Sequence, residues 1–320
     1  DAPDSVKGVR ATTAPDGSVT IRWDAPAALL GDPPSGYRVY VSTNGYGFNG
    51  GTYVAGRTNT SLTIQNVDSG GEVLYFRVAA VNAGGESKPS ETVAARPAVG
   101  DNPKVLIVNG FDRLDRGQNA REAAVTGTVD RVRPSYSNSF DYCAPLAEAL
   151  EPYAPNLVVD SAANEAVVAG TVNLNHYDAV FWILGEESTA DRTLESTEQS
   201  RVTEYLANGG KLFLSGSEIA WDLDAQNNGR AFYQNMLRAA YVRDDANTYT
   251  FAGSTGSIFQ GISGRFDDGK VYYDAEYPDV LSPRGGAVAA LSYSGGTGGT
   301  AGIQYTSGNT RLVMLGFPFE

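Results

Sequence analysis

The spacing of apolar and polar residues divides the chain into two textures. Up to about residue 98, short alternating runs are cut by turn residues. Val19-Thr20-Ile21-Arg22-Trp23 stops at Asp24-Ala25-Pro26, and Tyr37-Arg38-Val39-Tyr40-Val41 stops at Ser42-Thr43-Asn44-Gly45. Ser61-Leu62-Thr63-Ile64 and Leu74 to Val81 follow, separated by Asp68-Ser69-Gly70-Gly71. Period-two alternation at this spacing predicts a small antiparallel sandwich. From residue 104 the apolar runs no longer alternate. Val105-Leu106-Ile107-Val108, Ala179-Val180-Phe181-Trp182-Ile183-Leu184 and Leu212-Phe213-Leu214 have the pattern of strands buried on both faces, as in a parallel sheet. Between the last two lies a helical stretch, Thr197 to Asn208, closed by Gly209-Gly210. Strand, helix, strand with a glycine stop predicts a βαβ unit of right-handed crossover.

The remaining elements fill in around these. A helix is expected up to Ala149, capped by Ser137 or Ser139 and stopped before Pro152, with Cys143, Leu146, Ala147 and Leu150 as its apolar stripe. Leu157 to Asp160 is a short strand, Asn164 to Gly170 a helical turn and Gly229 to Leu237 a helix. Short strands are expected at 249–251, 270–273, 287–291, 301–305 and 311–317. Residues 112–136 show no period and are expected as a long loop, of functional or lid type. The domain division is 1–98, a linker over 99–103, and 104–320.

The order Trp23, Tyr37-Arg38-Val39-Tyr40, Leu62, Tyr75-Phe76-Arg77-Val78-Ala79-Ala80-Val81 and Ser87-Lys88-Pro89-Ser90 resembles a fibronectin type III domain over residues 3–97. The resemblance implies that Trp23 fills the core and that Tyr75 is a corner tyrosine with its hydroxyl on backbone. Tyr46, Phe48 and Tyr53, in the loop Asn44 to Gly56, either cover the sandwich edge or the second domain, or stack on a sugar or partner. Further on, Val108-Asn109-Gly110-Phe111-Asp112-Arg113, Gly185-Glu186-Glu187-Ser188-Thr189, Ser215-Gly216-Ser217-Glu218-Ile219-Ala220-Trp221-Asp222 and Gly316-Phe317-Pro318-Phe319-Glu320 resemble a secreted bacterial domain of xanthan-lyase-like type. Its strand order is similar to the class I glutamine-amidotransferase-like fold. The resemblance implies an α/β, flavodoxin-like parallel sheet following the all-β sandwich. In that family a cysteine nucleophile sits on the turn corresponding to Leu214-Ser215-Gly216-Ser217-Glu218; here the turn carries serine.

Charge narrows the partners. Residues 1–98 hold 8 Lys+Arg against 9 Asp+Glu, and residues 99–320 hold 16 against 28, which together give the net −13. So acidic a second half speaks against nucleic acid, which needs a basic patch. No apolar run has the roughly 18–20 residues of a membrane span. The single cysteine, Cys143, excludes an intrachain disulfide, and its helical spacing makes it a packed thiol. The start at Asp1 fits a mature secreted form or an excised fragment, and the Gly-, Tyr-, Thr- and Asn-rich composition points to a secreted, extracellular or cell-surface protein.

In parallel sheets ligands collect beyond the carboxyl ends of the strands, where both acidic tails fall. The candidate catalytic residues are therefore Glu186, Glu187, Ser217, Glu218 and Asp222. Ser217 needs a base, and the only histidine, His176, belongs at the opposite end of its strand. A carboxylate pair could act on a glycosidic bond; the same residues could equally clamp loop amides. Asp222 and Asp224 open an alternating oxygen array loosely like a calcium loop, without its glycine or its terminal glutamate. Three functions stay open: a non-catalytic glycan- or envelope-protein-binding module, a hydrolase or lyase on polysaccharide or peptidoglycan, and a self-assembling subunit of an extracellular structure.

Overall fold

The structure is a computed structural model that describes residues 1–65, 67, 71–98, 100–131, 138–153 and 157–320. It is multi-domain and β-rich, with few and short helices. The chain forms two compact units, residues 1–109 with 140–173, and residues 110–139 with 174–320. The expected turn at Asp68-Ser69-Gly70 and the expected cap Ser137 lie outside the described residues.

In the first unit, Lys7–Thr13, Val19–Asp24 and Ser61–Ile64 pair antiparallel. Thr52–Ala55, Gly36–Ser42, Leu74–Asn82 and Gly85–Glu86 make a second antiparallel sheet, with Val93–Ala95 also on Leu74–Asn82. Alternation does what it predicts: Val19, Ile21 and Trp23 are buried while Thr20 and Arg22 are not. Trp23 packs edge-on to Tyr37 with ring centroids 5.2 Å apart, among Val39, Phe76 and Val78. A buried phenol needs an acceptor, and the Tyr37 hydroxyl donates to the Arg57 carbonyl at 2.7 Å. Tyr75 is buried too. Phe48 is half-buried and lies under the Arg77 guanidinium, 4.4 Å from its centroid, so it covers the sandwich edge.

Lys7–Thr13 also pairs antiparallel with Val158–Ala163, which runs parallel to Lys104–Asn109. Asp160 is fully buried; it accepts from the Thr13 amide and hydroxyl at 2.8 Å each, and Lys104 Nζ stands 2.8 Å away. The helix expected from Ser139 instead spans Cys143–Leu150, because Phe140 holds a left-handed backbone, φ 57°, that cannot enter a helix. Its first residue, Cys143, is a buried thiol donating to the Thr92 carbonyl at 2.9 Å, and burial pushes its pKa well up. Arg77 and Thr92 both bond Asp141 in front of it.

In the second unit, Ala179–Ile183, Lys211–Ser215 and Thr310–Leu315 are neighbouring parallel strands, in register Val180↔Leu212 and Leu212↔Leu312. The sheet continues antiparallel through Thr300–Ser307, Val288–Tyr293, Thr250–Gly253 and Ser263–Arg265. Ser196–Ala207 is the connecting helix. Glu195 and Glu198 form its capping box, and Gly209, φ 87°, ends it in the left-handed region. Two expectations are corrected. Residues 112–136 are not one loop: a hairpin, Ala120–Ala124 with Gly127–Arg131, sets Arg121 opposite Asp130. Its apolar content is too low to leave a pattern. Residues 270–273 are not a strand, because the Asp267 carboxylate accepts the amides of Lys270, Val271 and Tyr272 and folds them into a turn.

Candidate functional site

Register fixes where the acidic tails go. Ile183 pairs with Ser215, so both strands end at the same edge, and the ladder continues beyond them. The Leu184 amide donates to the Ser215 carbonyl and the Ser217 amide to the Gly185 carbonyl, both at 2.8 Å. Between these bonds Gly185 has φ 47°, and a Cβ there would stand 2.0 Å from the Phe111 ring. Glycine is required at that point.

The five sequence candidates separate into two groups. Glu186, Ser217 and Glu218 line one cavity of about 330 Å³. Glu187 turns away from it: its Oε1 accepts the amides of Asp112 at 2.9 Å and Arg113 at 2.6 Å, and burial pushes its pKa up to about 8. Asp222 is fully buried. It accepts the Thr193 amide at 3.0 Å and hydroxyl at 2.8 Å, and the Asn228 side-chain amide at 2.6 Å. Both residues clamp backbone.

The calcium expected at Asp222 and Asp224 finds donors rather than open oxygens. Both Asp222 oxygens are taken as above. Asp224 Oδ1 accepts from Arg230 at 3.1 Å and Gln234 at 2.9 Å, and Oδ2 from the Tyr241 amide at 2.8 Å. The array is broken because residues 221–225 form a π-helical turn. Among the described residues no group of three or more His, Cys, Asp or Glu is set to hold a metal ion.

Inside the cavity, Glu186 is buried and its Oε1 accepts the Glu276 amide at 2.6 Å; burial pushes its pKa well up. Glu218 is half-buried, with its pKa raised by burial against a hydrogen bond from Ser188. Its backbone sits at φ 58°, a strained conformation for a residue with a Cβ. Ser217 Oγ is fully buried and 3.4 Å from the Gly185 carbonyl. His176 is exposed, in the turn Leu174–His176 ahead of the far end of Ala179–Ile183. Ser217 has no imidazole beside it.

Sequence reasoning missed half of the lining. Arg113, Asp115 and Gln118 come from the segment expected as a loop, and Asp274, Glu276 and Tyr277 from the turn after residues 270–273. Arg113 Nη2 donates to Asp115 at 2.9 Å and Nη1 to the Glu186 carbonyl at 3.0 Å. Gln118 is 3% exposed, yet neither atom of its amide has a hydrogen-bond partner. Trp221, on the rim, is held from behind by Asp279, whose buried carboxylate accepts the Ala220 amide at 2.6 Å and the Trp221 amide at 3.3 Å. The acidity of residues 267–279 was the one available signal for that side of the cavity; Gln118 had none.

Residues 2–96 match the family profile of the fibronectin type III domain, and this stretch is a fibronectin type III domain. It gives the chain a module of structural or binding type. Among solved structures, the chain is similar to the FN5 domain of Drosophila Lar at 17% identity. That match covers 31% of this chain and 100% of the other, with a TM-score of 0.25. It is similar to a domain of human fibronectin type III domain containing protein 3 at 26% identity, covering 32% and 93%, with a TM-score of 0.26. The third fibronectin III domain of human KIAA0343 protein is 19% identical, covering 32% and 89%, with a TM-score of 0.26. No curated protein matches the chain.

Proposed function

We propose that this is a secreted or cell-surface protein in which a fibronectin type III module accompanies a non-catalytic, glycan-binding α/β domain of flavodoxin-like, xanthan-lyase-like type. The parallel strands Ala179–Ile183, Lys211–Ser215 and Thr310–Leu315, the first two joined through Ser196–Ala207, and the three motifs that follow them support the fold assignment. The observation that carries the function is the cavity at that edge. It combines carboxylates, a carboxamide and the aromatic side chains of Trp221 and Tyr277, residue types that hydrogen-bond sugar hydroxyls and stack on a sugar ring. The separation of Ser217 from His176 favours binding over acyl transfer. The test is a glycan array probed with the full chain and with Trp221→Ala. Spots bound by the first and lost with the second support the reading; a blank array for the full chain ends it.

A second reading has its own observation. Glu218 holds a strained backbone on the turn after a parallel strand, and Glu186 and Glu218 are both acids of raised pKa in one cavity. Such a pair suits a hydrolase or lyase on polysaccharide or peptidoglycan. Turnover that survives Glu186→Gln combined with Glu218→Gln removes that reading.

A further inference from the structure

The cavity is unequally charged. Asp115, Glu186, Glu218, Asp274 and Glu276 line it against a single guanidinium, Arg113. That guanidinium is already engaged by Asp115 and the Glu186 carbonyl, and Asp191 stands 3.9 Å from its Nε. Three of the other carboxylates are answered by neutral donors: Glu186 by the Glu276 amide at 2.6 Å, Asp274 by the Tyr249 hydroxyl at 2.7 Å, and Glu218 by the Ser188 hydroxyl. Neutral hydrogen bonds leave these acids without a cationic partner; a cation entering the cleft favours their charged form, and a cleft lined by acids concentrates ligands of positive charge.

Acidic residues in a cleft do not by themselves define a ligand, but Gln118 is an independent pointer to one. A buried carboxamide with neither its oxygen nor its nitrogen paired is costly, on the order of 1–3 kcal/mol for each unsatisfied group. Native proteins leave few such groups, and Gln118 forms part of the cavity wall. Its oxygen can accept from an ammonium and its nitrogen can donate to a neighbouring hydroxyl. A ligand carrying both groups satisfies the whole amide. An anionic sugar would meet the carboxylates, with only Arg113 to offset them.

Resting on the glycan reading above, we propose that the cavity selects a sugar bearing a free, protonated amino group, set among the Glu186, Glu218 and Glu276 carboxylates with Gln118 completing its hydrogen bonds. N-acetylation removes the charge and adds bulk, so the acetylated sugar binds poorly. Replacing the amine by a hydroxyl removes the charge alone and weakens binding less.

Isothermal titration of the full chain with three trisaccharides tests this: the glucosamine trimer, the N-acetylglucosamine trimer and cellotriose. The expected result is at least tenfold tighter binding of the glucosamine trimer than of cellotriose, with the acetylated trimer weakest. Gln118→Ala is expected to lower glucosamine-trimer affinity at least fivefold; Glu218→Gln, which keeps the side chain's shape, does the same should the first variant fold poorly. Equal binding of all three trimers overturns the amino-group assignment and leaves the glycan reading standing, whereas binding of none overturns both. Glucosamine-trimer binding untouched by both substitutions places the ligand elsewhere and also overturns the assignment.

Discussion

Glu218 allows the strain at the cavity to be weighed. Its φ of 58° lies where a Cβ crowds the following carbonyl, at a cost of roughly 1–2 kcal/mol. Replacing it by alanine removes the carboxylate and keeps the crowding, whereas glycine removes both. The two variants lose the same Ser188 hydrogen bond and the same buried acid, so those contributions cancel in the difference between them. Glycine gives back about 0.4–1 kcal/mol through its freer unfolded chain. Glu218→Gly is therefore expected to be more stable than Glu218→Ala by about 1 kcal/mol, or about 2–4 °C in melting temperature for a unit of this size. Thermal unfolding followed by tryptophan fluorescence in a Trp23→Phe background reports on Trp182 and Trp221, both in the second unit. If Glu218→Ala melts at or above Glu218→Gly, the left-handed backbone stores no strain, and the argument that function holds it there is lost.

Three further outcomes follow from the packing. Glu187 has its pKa raised from an ordinary 4.5 to about 8, so the folded chain binds the extra proton and stability falls as pH rises between those values. Glu187→Gln copies the protonated acid; urea unfolding should find it close to wild type at pH 5 and more stable by about 4 kcal/mol at pH 9, and equal pH slopes would refute the shift. Trp23→Ala empties the centre of the sandwich and should cost about 3–5 kcal/mol, read as a lower urea midpoint; a cost under about 1 kcal/mol would contradict the core assignment. Gly185→Ala drives a methyl into the Phe111 ring and strains φ 47°, so a loss of at least about 2 kcal/mol is expected, and a wild-type melting curve would show the turn to be loose.

The chain showed its hydrophobic architecture openly and its cavity only in part. Trp23 and Ile21 alternate with polar neighbours, and Val180 to Leu184 run without interruption, because burial on one face or on two leaves different periods. The shared edge of the two acidic tails followed from that. Which carboxylates face the cavity did not, since Glu186 and Glu187 are adjacent in sequence yet one lines the cavity and the other clamps the 112–113 amides. That choice is made by Gly185 and Phe111 packing, which has no period. The helix before Cys143 was drawn too long because the left-handed backbone of Phe140 is set by its surroundings rather than by its residue type. Gln118 reaches the cavity from a turn held by Asp115, whose carboxylate accepts the Gly117 amide, and turns of this kind are decided by side-chain to backbone bonds.

The central claim is that the Gln118 amide is held open for a ligand. A crystal of the full chain soaked with the glucosamine trimer tests it most directly. The account predicts sugar density in the cavity, with ligand atoms within hydrogen-bond distance of both the oxygen and the nitrogen of Gln118 and a ring against Trp221. A cavity closed by protein side chains that satisfy Gln118, with any sugar bound elsewhere, would contradict it.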